Sequence, residues 1–243
     1  MPPRFYVDAT LTAGTSLPLP ADAAHHARRV LRLGGGDSIV LFNGRGGEYV
    51  AKLASPGGVA TAAIERFDPV ERESPLALTL LQALVAAEKL DWLVEKAVEL
   101  GVARIVIAPT RRSVVRLDAE RAGKRLVHWR GIVRAACCQC GRNRLPEVDY
   151  CNTFEAQLAA TPANARRLAL LPGVGAPLRA ASGATALLIG PEGGLTDEEV
   201  ALALGAGFVS VRIGPRILRT ETAGIAALAA MQTLGGDFGS GTA

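Results

Sequence analysis

The sequence has few cysteines, no long uncharged apolar run and no signal-like N-terminus. Its cysteines are Cys137, Cys138, Cys140 and Cys151, and the crowding of the first three excludes the paired framework of a disulfide-stabilised secreted protein. The absence of an apolar run of about 18 residues excludes a membrane-spanning helix. Met1–Tyr6 contains no apolar segment of a secretory signal. We therefore expect a cytoplasmic protein in a reducing compartment, without membrane contact.

A metal site is also not expected. Cys137 and Cys140 form a C-x-x-C pair, which is one half of a common zinc-binding pattern. No second pair and no nearby histidine completes the ligand set, so we assign no metal.

The charge balance is mildly basic. Lys and Arg number 27 against 23 Asp and Glu, and the isoelectric point is near 9.1. This balance permits a nucleic-acid partner, because phosphates are bound by clustered cations. A soluble enzyme with a mildly basic surface is equally compatible with the same totals.

The first 70 residues are predicted to be rich in β-structure. Gly-rich turns separate the short apolar runs Ser38–Phe42, Glu48–Leu53 and Ala60–Ile64, and a helix is predicted over Ala21–Leu31. This spacing is typical of a small antiparallel barrel or sandwich. The polar segment Asp68–Pro75 contains two prolines, so we place a domain boundary there, between a domain of residues 1–70 and one of residues 76–238.

The second domain alternates between strand and helix patterns. The apolar run Leu78–Val85 predicts a buried parallel strand, an amphipathic helix over residues 90–98 ends before Gly101, and Ala103–Ala108 returns as the next strand. This domain is therefore predicted to be α/β with a mostly parallel sheet. Further strands are expected at Arg167–Leu171, Thr185–Ile189 and Phe208–Val211, and helices at Ala119–Ala136, Thr153–Ala160, Asp197–Leu204 and Glu221–Leu234.

Two apolar runs near the C-terminus each end in a Gly-Pro turn that leads into a predicted helix. The turns are Gly190–Thr196 and Gly214–Thr222. Free backbone N–H groups and a helix N-terminus at the carboxyl edge of a parallel sheet predict a ligand pocket. The turn Ala86–Leu90, after the first strand of this domain, has no glycine, and no Gly-Lys-Ser/Thr follows any turn. These absences exclude an ordinary Rossmann site and a P-loop.

Local capping explains some polar residues of these turns, whereas Glu192 and Arg219 also have a ligand-binding interpretation. Thr196 and Glu199 form a predicted capping box, but Glu192 either bonds its own loop or meets a cationic or hydroxyl-bearing ligand. Thr220 is a predicted N-cap and Glu221 suits the helix dipole. Arg219 opposes that dipole, so we expect an anionic partner, which is Glu192, Glu221 or a phosphate.

Taken together, the motifs resemble the 16S ribosomal RNA uridine-N3 methyltransferases, S-adenosylmethionine-dependent enzymes with a C-terminal trefoil knot. The matching motifs cover nearly the whole chain: Pro3–Val7, His26, Arg29–Arg32, Glu95–Gly101, Arg112–Ser113, Gln139–Arg142, Ile189–Gly194 and Leu218–Ala223. One departure is Cys138, which stands where the family usually has an acidic residue before the Gln.

The resemblance implies a fold, a cofactor and partners. The fold class is α/β, with a small PUA-like N-terminal β-barrel that grips RNA, followed by a knotted α/β methyltransferase domain. The partners are 16S rRNA of the small ribosomal subunit and a second copy of the chain in a homodimer. S-adenosylmethionine (SAM) is expected to lie bent between three loops, against Leu170, Leu171, Pro172, Gly173, Ile189, Gly190, Pro191, Glu192, Gly193, Gly194, Leu195, Ile213, Gly214, Ile217, Leu218, Arg219, Thr220 and Thr222.

Methylation of uridine N3 requires removal of the N3 proton and stabilisation of the anion that develops on the base. Candidates for the stabilising cation are Arg219, Arg142 and Arg112, and candidates for the base are Glu221 and Glu192. N3 lies on the Watson–Crick edge, so the target base must be unpaired or flipped out. The expected phosphate-binding group, which a solvated helix face would also explain, is Arg4, Arg28, Arg29 and Arg32.

Three alternatives remain open at this point. A related knotted enzyme could methylate a ribose 2′-hydroxyl, and product analysis distinguishes this from base methylation. A non-catalytic RNA-binding assembly factor is a second alternative, and such a protein would not need the two intact Gly-Pro loops. A nucleotide- or phosphate-binding metabolic enzyme could use the same helix N-termini, and it would bind ATP or another nucleotide in place of SAM.

Overall fold

The computed structural model describes residues 2–55, 58–171, 173, 175–180 and 182–239. The chain forms two compact units. The first unit takes in the residues up to Glu73 together with Cys137–Leu145, and the second contains Ser74–Ala136 and the residues from Pro146 onward. The sequence analysis had placed Cys137–Leu145 in the second domain; in the structure this segment groups with the first unit.

The first unit contains a five-stranded sheet in the order β1-β3-β4-β5-β2. β1 pairs with β3 in parallel and the other neighbours are antiparallel. Phe5, Ile39, Leu41 and Leu53 are buried in its core. The strands are β1 (Arg4–Tyr6), β2 (Ser16–Pro18), β3 (Ser38–Phe42), β4 (Glu48–Ala54) and β5 (Thr61–Asp68).

A helical segment lies where the sequence predicted it between β2 and β3. It begins as α1 (Ala21–His25) and continues as a π-helical turn, His26–Val30. Ala23 and Ala27 are buried against the core of the first unit, which explains why the segment packs as a helix. The π-turn ends close to Arg32, whose φ of 55° is in the left-handed region.

The second unit is built on a seven-stranded sheet in the order β10-β12-β9-β11-β6-β7-β8. Every pairing in this sheet is parallel, which confirms the predicted mostly parallel sheet. The strands are β6 (Ala77–Ala83), β7 (Arg104–Ala108), β8 (Glu147–Tyr150), β9 (Arg166–Leu170), β10 (Ala176–Pro177), β11 (Ala184–Ile189) and β12 (Val209–Arg212).

Five helices complete the connections. The predicted apolar stripe of α2 is buried, and Gly101 follows the helix with a φ of 74°. Of the helices in the described ranges, none combines the length and apolar character needed to cross a bilayer. The helices are α2 (Ala87–Glu99), α3 (Ala119–Cys140), α4 (Phe154–Ala159), α5 (Asp197–Gly205) and α6 (Thr220–Gly235).

The strand order places three loops at one edge of the second sheet. β12, β9 and β11 are neighbours and run in the same direction, so their carboxyl ends meet at the same edge. The loops that leave these ends are the three predicted cofactor loops. Open parallel sheets bind their ligands at this edge.

Candidate active site

Two adjoining cavities lie at the carboxyl ends of β9, β11 and β12, with volumes of about 330 and 480 Å³. They share a wall of apolar side chains. The shared residues are Leu170, Leu171, Ile217, Leu218 and Ala223.

Most of the predicted cofactor-binding residues line this cleft. The first cavity is lined by Leu170, Leu171, Ile189, Gly190, Pro191, Glu192, Gly194, Leu195, Ile217, Leu218, Arg219 and Thr220. The second is lined by Gly173, Ile213 and Gly214, together with Leu170, Leu171, Ile217 and Leu218. Gly193 and Thr222 are not among the lining residues, and Pro172 lies outside the described residues.

Backbone conformation fixes two walls of the cleft. Gly194 has a φ of 70° and Gly214 a φ of 68°, a left-handed conformation that side chains other than glycine rarely adopt. The turns at these positions expose the main chain to the cavities. Glycine at these two positions therefore explains how the sequence forms the turns of the predicted pocket.

Thr220 does not cap α6, which corrects the sequence prediction. The N-cap position is Arg219, whose side chain makes no capping hydrogen bond. The Thr220 hydroxyl instead donates to the Gly190 carbonyl oxygen at 2.6 Å and accepts a hydrogen bond from the Gln82 side-chain amide at 2.9 Å. The residue therefore joins the start of α6 to the loop after β11 and to strand β6.

The predicted capping box at α5 is confirmed. The Thr196 hydroxyl accepts from the Glu199 backbone N–H, and the Glu199 carboxylate accepts from the Thr196 backbone N–H. Glu199 is only 4 % exposed, and its second oxygen accepts from the Arg111 backbone N–H at 2.7 Å. The box therefore also fixes the loop after β7.

Lys89 lines the first cavity and was missed by the sequence analysis. Its ammonium nitrogen lies 2.9 Å from Glu192 Oε1 and 3.9 Å from Glu221 Oε2. The hydrogen bond to Glu192 raises the pKa of Lys89 above its ordinary value. Burial alone would raise the pKa of Glu192, but the hydrogen bond and charge of Lys89, together with a backbone hydrogen bond of Glu192 itself, outweigh burial, and the pKa is lowered. The available signal was a lysine in the turn after the first strand of an α/β domain.

Arg219 is not paired with either carboxylate, which corrects the expectation that Glu192 or Glu221 is its partner. Both carboxylates face Lys89. Among the residues that the structure describes, the exposed Arg219 guanidinium has no hydrogen-bond or ion-pair partner. Its charge is available to a bound molecule.

The other two proposed catalytic arginines have structural partners. Arg112 donates to the carbonyl oxygens of Gly193 at 2.9 Å and Leu195 at 3.4 Å, so it supports the loop after β11. Arg142 is 5 % exposed and binds the Glu73 carboxylate within the first unit, with a closest distance of 2.5 Å. We therefore do not retain Arg142 as a catalytic cation, because the half-buried Glu73 carboxylate already pairs with it.

The four proposed RNA-binding arginines differ in exposure and in whether other residues already pair with them. The Arg4 side chain is only 8 % exposed, pairs with Glu48 and lies over the Phe42 ring, so it does not fit a phosphate-binding role. Arg28 is exposed but donates to the Gly58 carbonyl oxygen at 2.6 Å and to Ser55 Oγ at 3.0 Å. Arg29 and Arg32 are exposed and have no partner in the described ranges.

The cysteine segment contains no sign of reactive thiols. Burial raises the pKa of Cys137 to about 12 and also raises the pKa of Cys138. A thiol with a raised pKa is a poor nucleophile and a poor metal ligand at neutral pH. Within the described ranges, no group of three or more His, Cys, Asp or Glu side chains converges as a metal site requires.

Comparison with protein families gives two matches. Residues 72–232 match the model described as an RNA methyltransferase domain. Residues 19–59 match an RNA methyltransferase PUA domain, which agrees with the predicted PUA-like character of the first domain.

Curated relatives and solved structures match nearly the whole chain. Ribosomal RNA small subunit methyltransferase E of Mycobacterium tuberculosis is 32 % identical, covering 95 % of this chain and 91 % of the relative. The protein of the same name from Bacillus subtilis is 30 % identical, covering 94 % and 95 %.

Two solved structures that are similar to this chain contain bound SAM. A methyltransferase of Legionella pneumophila in complex with SAM has a TM-score of 0.92 and 36 % identity, covering 98 % of this chain and 100 % of that one. The small subunit methyltransferase E of Neisseria gonorrhoeae, bound to SAM, has a TM-score of 0.91 and 40 % identity with the same coverage.

Proposed function

Since this chain belongs to the RNA methyltransferase family that includes the ribosomal RNA small subunit methyltransferase E proteins, we propose that it methylates N3 of a uridine in 16S rRNA with SAM as donor. The observation that carries the proposal is the cleft at the carboxyl ends of β9, β11 and β12. It combines an apolar wall, exposed main chain and a cluster of charged side chains in one place.

The residues of this cleft fit SAM. Leu170, Leu171 and Leu218 offer an apolar surface for an adenine ring. Glu192 and Glu221 supply negative charge next to a ligand that carries a sulfonium and an ammonium group. The cavity volumes are within the range of about 300–1,000 Å³ that is usual for small-ligand sites.

SAM supplies an electrophilic methyl group on a positively charged sulfur. During transfer a bond forms between uridine N3 and the methyl carbon while the sulfur–carbon bond breaks, in line with the attack. N3 loses its proton, because it is a poor nucleophile while protonated. The protein therefore has to orient the base, accept the proton and stabilise negative charge on the uracil oxygens.

Arg219 lines the first cavity, and Glu221, which is not a lining residue, lies 3.9 Å from Lys89 of the lining; the two residues suit these tasks. Arg219 is exposed at the N-terminus of α6 and has no partner in the described part of the chain, so we assign it to the uracil oxygens. Glu221 is two residues further along, and one of its carboxylate oxygens is buried without a hydrogen-bond donor among the described residues. We assign Glu221 as the proton acceptor, with Glu192 as the other candidate.

We propose that the first unit binds RNA. The PUA-domain match covers residues 19–59, which contain α1 and the π-turn. Arg29 and Arg32 expose their charges at the end of this segment, and Arg28 lies beside them. Exposed guanidinium groups of this kind bind phosphates of single-stranded RNA.

Three further features rest on the family resemblance and remain proposals. They are a trefoil knot formed by the C-terminal strands and loops, a homodimer, and a cytoplasmic location. The exposure of Ile217, which is 83 % at the cleft, supports a covering partner or substrate at this point.

The proposal is tested with purified protein, labelled SAM and small ribosomal subunits from cells that lack the modification. The RNA is digested to nucleosides and analysed by mass spectrometry. A 3-methyluridine product supports the proposal, whereas a 2′-O-methyl product keeps the cofactor but replaces the acceptor atom. Absence of SAM binding by calorimetry overturns the methyltransferase function, and binding of ATP in its place indicates a nucleotide-binding metabolic enzyme.

A further inference from the structure

Lys89 occupies an unusual electrostatic position. It lies in the first turn of α2, directly after strand β6, and its side chain is 28 % exposed at the first cavity. The N-terminus of a helix carries a partial positive charge, so a lysine there is unfavourable unless anions compensate it. Arg219 also lies near enough to disfavour the charged form of Lys89.

Two carboxylates from different elements provide that compensation. Glu192 belongs to the loop after β11 and Glu221 to the first turn of α6, and both face the Lys89 ammonium. The ammonium therefore joins three elements, α2, the β11 loop and α6, at the mouth of the cavity. Without the Lys89 ammonium, no cation of the described residues would lie between the carboxylates of Glu192 and Glu221.

We infer that Lys89 is a positioning residue for methyl transfer, whose ammonium group holds Glu192 and Glu221 in the geometry that cofactor and uridine require. The inference rests on the methyltransferase function proposed above and extends it to a residue outside the three cofactor loops. It gives Lys89 no direct contact with the reacting atoms.

The surroundings of Glu221 support this role. Its Oε2 atom is buried, has no hydrogen-bond donor among the described residues, and lies 3.9 Å from Lys89 Nζ. The charge of Lys89 therefore stabilises this oxygen without blocking it with a short hydrogen bond. The lone pairs of this oxygen are therefore not engaged by a hydrogen bond from a described residue.

The charged groups around Glu192 give the inference a pH signature. Lys89 of α2 faces the carboxylate, and Glu221 and Arg219 of α6 lie beside Lys89; Arg112 supports the same loop through the Gly193 carbonyl oxygen. The Lys89 hydrogen bond lowers the pKa of Glu192 against the effect of burial. Removal of the ammonium leaves burial opposed only by the backbone hydrogen bond of Glu192 itself, so the pKa rises and Glu192 takes up a proton at a higher pH.

The experiment compares Lys89→Met, Lys89→Arg and the control Lys96→Met. Lys96 is also on α2 and pairs with Glu95 and Glu99, but it does not line the cavities. SAM affinity by calorimetry and the kcat and KM of rRNA methylation are measured from about pH 5.5 to about pH 8.5.

We expect Lys89→Met to lower kcat by about 10- to 100-fold, as small misplacements of catalytic groups do. We also expect its SAM affinity to fall further as the pH is lowered, because a protonated Glu192 no longer attracts a cation. Lys89→Arg should restore part of the activity, and Lys96→Met should match the unmodified protein at every pH.

Two results would overturn the inference. The first is a Lys89→Met variant with the kcat, SAM affinity and pH profile of Lys96→Met. The second is a double-mutant cycle in which Lys89→Met and Glu192→Gln have additive effects on SAM binding, because residues that act together are not additive. The unmodified protein separates the two hypotheses: if it neither binds SAM nor methylates RNA, the proposed function fails, whatever the variants do.

Discussion

The Thr220 hydroxyl donates a 2.6 Å hydrogen bond to the Gly190 carbonyl oxygen, 30 positions earlier in the sequence. This bond joins the first turn of α6 to the end of β11. The same hydroxyl accepts a second hydrogen bond, from the Gln82 side-chain amide of strand β6. Two of the loops that line the cleft therefore keep a fixed separation through one buried side chain. Thr220 is 5 % exposed, so water does not compete for these bonds.

Replacement of this hydroxyl by a methyl group should therefore weaken the cleft. In Thr220→Val the shape is nearly kept, but the Gly190 carbonyl and the Gln82 amide each lose a buried partner. We expect a loss of about 1–3 kcal/mol in the free energy of unfolding and weaker SAM binding. Thermal unfolding and calorimetry measure the two effects. The control is Thr233→Val on the exposed side of α6, where the hydroxyl bonds only within the helix; equal behaviour of both variants would contradict the prediction.

Arg219 should act on the chemical step more than on cofactor binding. Its guanidinium has no partner among the described residues, so its removal disturbs no internal ion pair. We expect Arg219→Ala to lower kcat by about 10²–10³-fold, as loss of a group that stabilises developing negative charge does. Single-turnover methylation and SAM affinity are measured side by side. The control is Arg121→Ala, which removes an exposed arginine of α3 that pairs with Asp118 just before the helix. It should change neither the rate of methylation nor the affinity for SAM. A fall in SAM affinity alone would contradict this role.

Glu221 should be needed for proton removal. Glu221→Gln keeps the shape and removes the base, so we expect a loss of about 10²–10⁴-fold in kcat. Glu192→Gln should mainly weaken SAM binding, and comparison of the two variants assigns the base. Glu155→Gln is the control, because Glu155 also lies in the first turn of a helix and is exposed. Undiminished methyl transfer by Glu221→Gln would remove this residue from the role.

Arg29 and Arg32 should contribute to RNA affinity through charge. Each phosphate contact that is lost lowers the slope of log K against log salt by about 0.7 for single-stranded RNA. We expect Arg29→Gln and Arg32→Gln to weaken binding of unrelated RNA sequences equally and to reduce this slope. Fluorescence anisotropy across a salt series measures it. Arg66→Gln is a control in the same unit, because Arg66 is already paired with Asp68; the same slope in all three variants would count against the proposed phosphate contacts.

The first unit should lose stability in acid because of Glu48. Burial alone would raise the pKa of this carboxyl, but hydrogen bonds from Arg4 and Arg72 outweigh burial and hold its pKa below the usual 4.5. A lowered folded-state pKa stabilises the protein above the unfolded-state pKa, and this contribution is lost as the pH falls below about 4.5. Chemical denaturation at a series of pH values measures the effect. Glu48→Gln should be less stable at neutral pH and should show a flatter acid dependence, with Glu65→Gln as an exposed control.

Much of the second unit could be predicted from sequence because its patterns are local. The sequences of β6, β7 and β11 are mostly apolar, as strands buried on both faces require, whereas β9 and β12 combine apolar residues with polar and charged ones. The capping box at Thr196 and Glu199 depends on residues three apart, so the sequence contains all the necessary information. The short strands β1, β2, β8 and β10 were not predicted, because two to four residues carry too little periodicity.

The errors concern contacts between distant residues. Thr220 has the chemistry of an N-cap, and only the fold shows that the Gly190 carbonyl lies within reach of its hydroxyl. Arg4 and Arg142 look like surface cations in the sequence, but their guanidinium groups are largely buried and pair with Glu48 and Glu73. In the turn that contains Lys89, the sequence motif for a nucleotide site depends on glycine, so the motif gives no indication of a role for the lysine. In each case the partner is more than 40 positions away or comes from another element, beyond the range of motif spacing.

The glycines that shape the cleft also restrict which substitutions can change it in the course of evolution. A wall of main-chain atoms presents nearly the same surface whatever side chains neighbouring positions carry, provided that turns such as Gly194 and Gly214 keep their left-handed conformation. Substitutions that alter what the cleft accepts are therefore expected at its rim, where Arg216 and Ile217 project into solvent. Divergence at those two positions can alter the exposed rim of the cleft while the glycine turns keep their conformation.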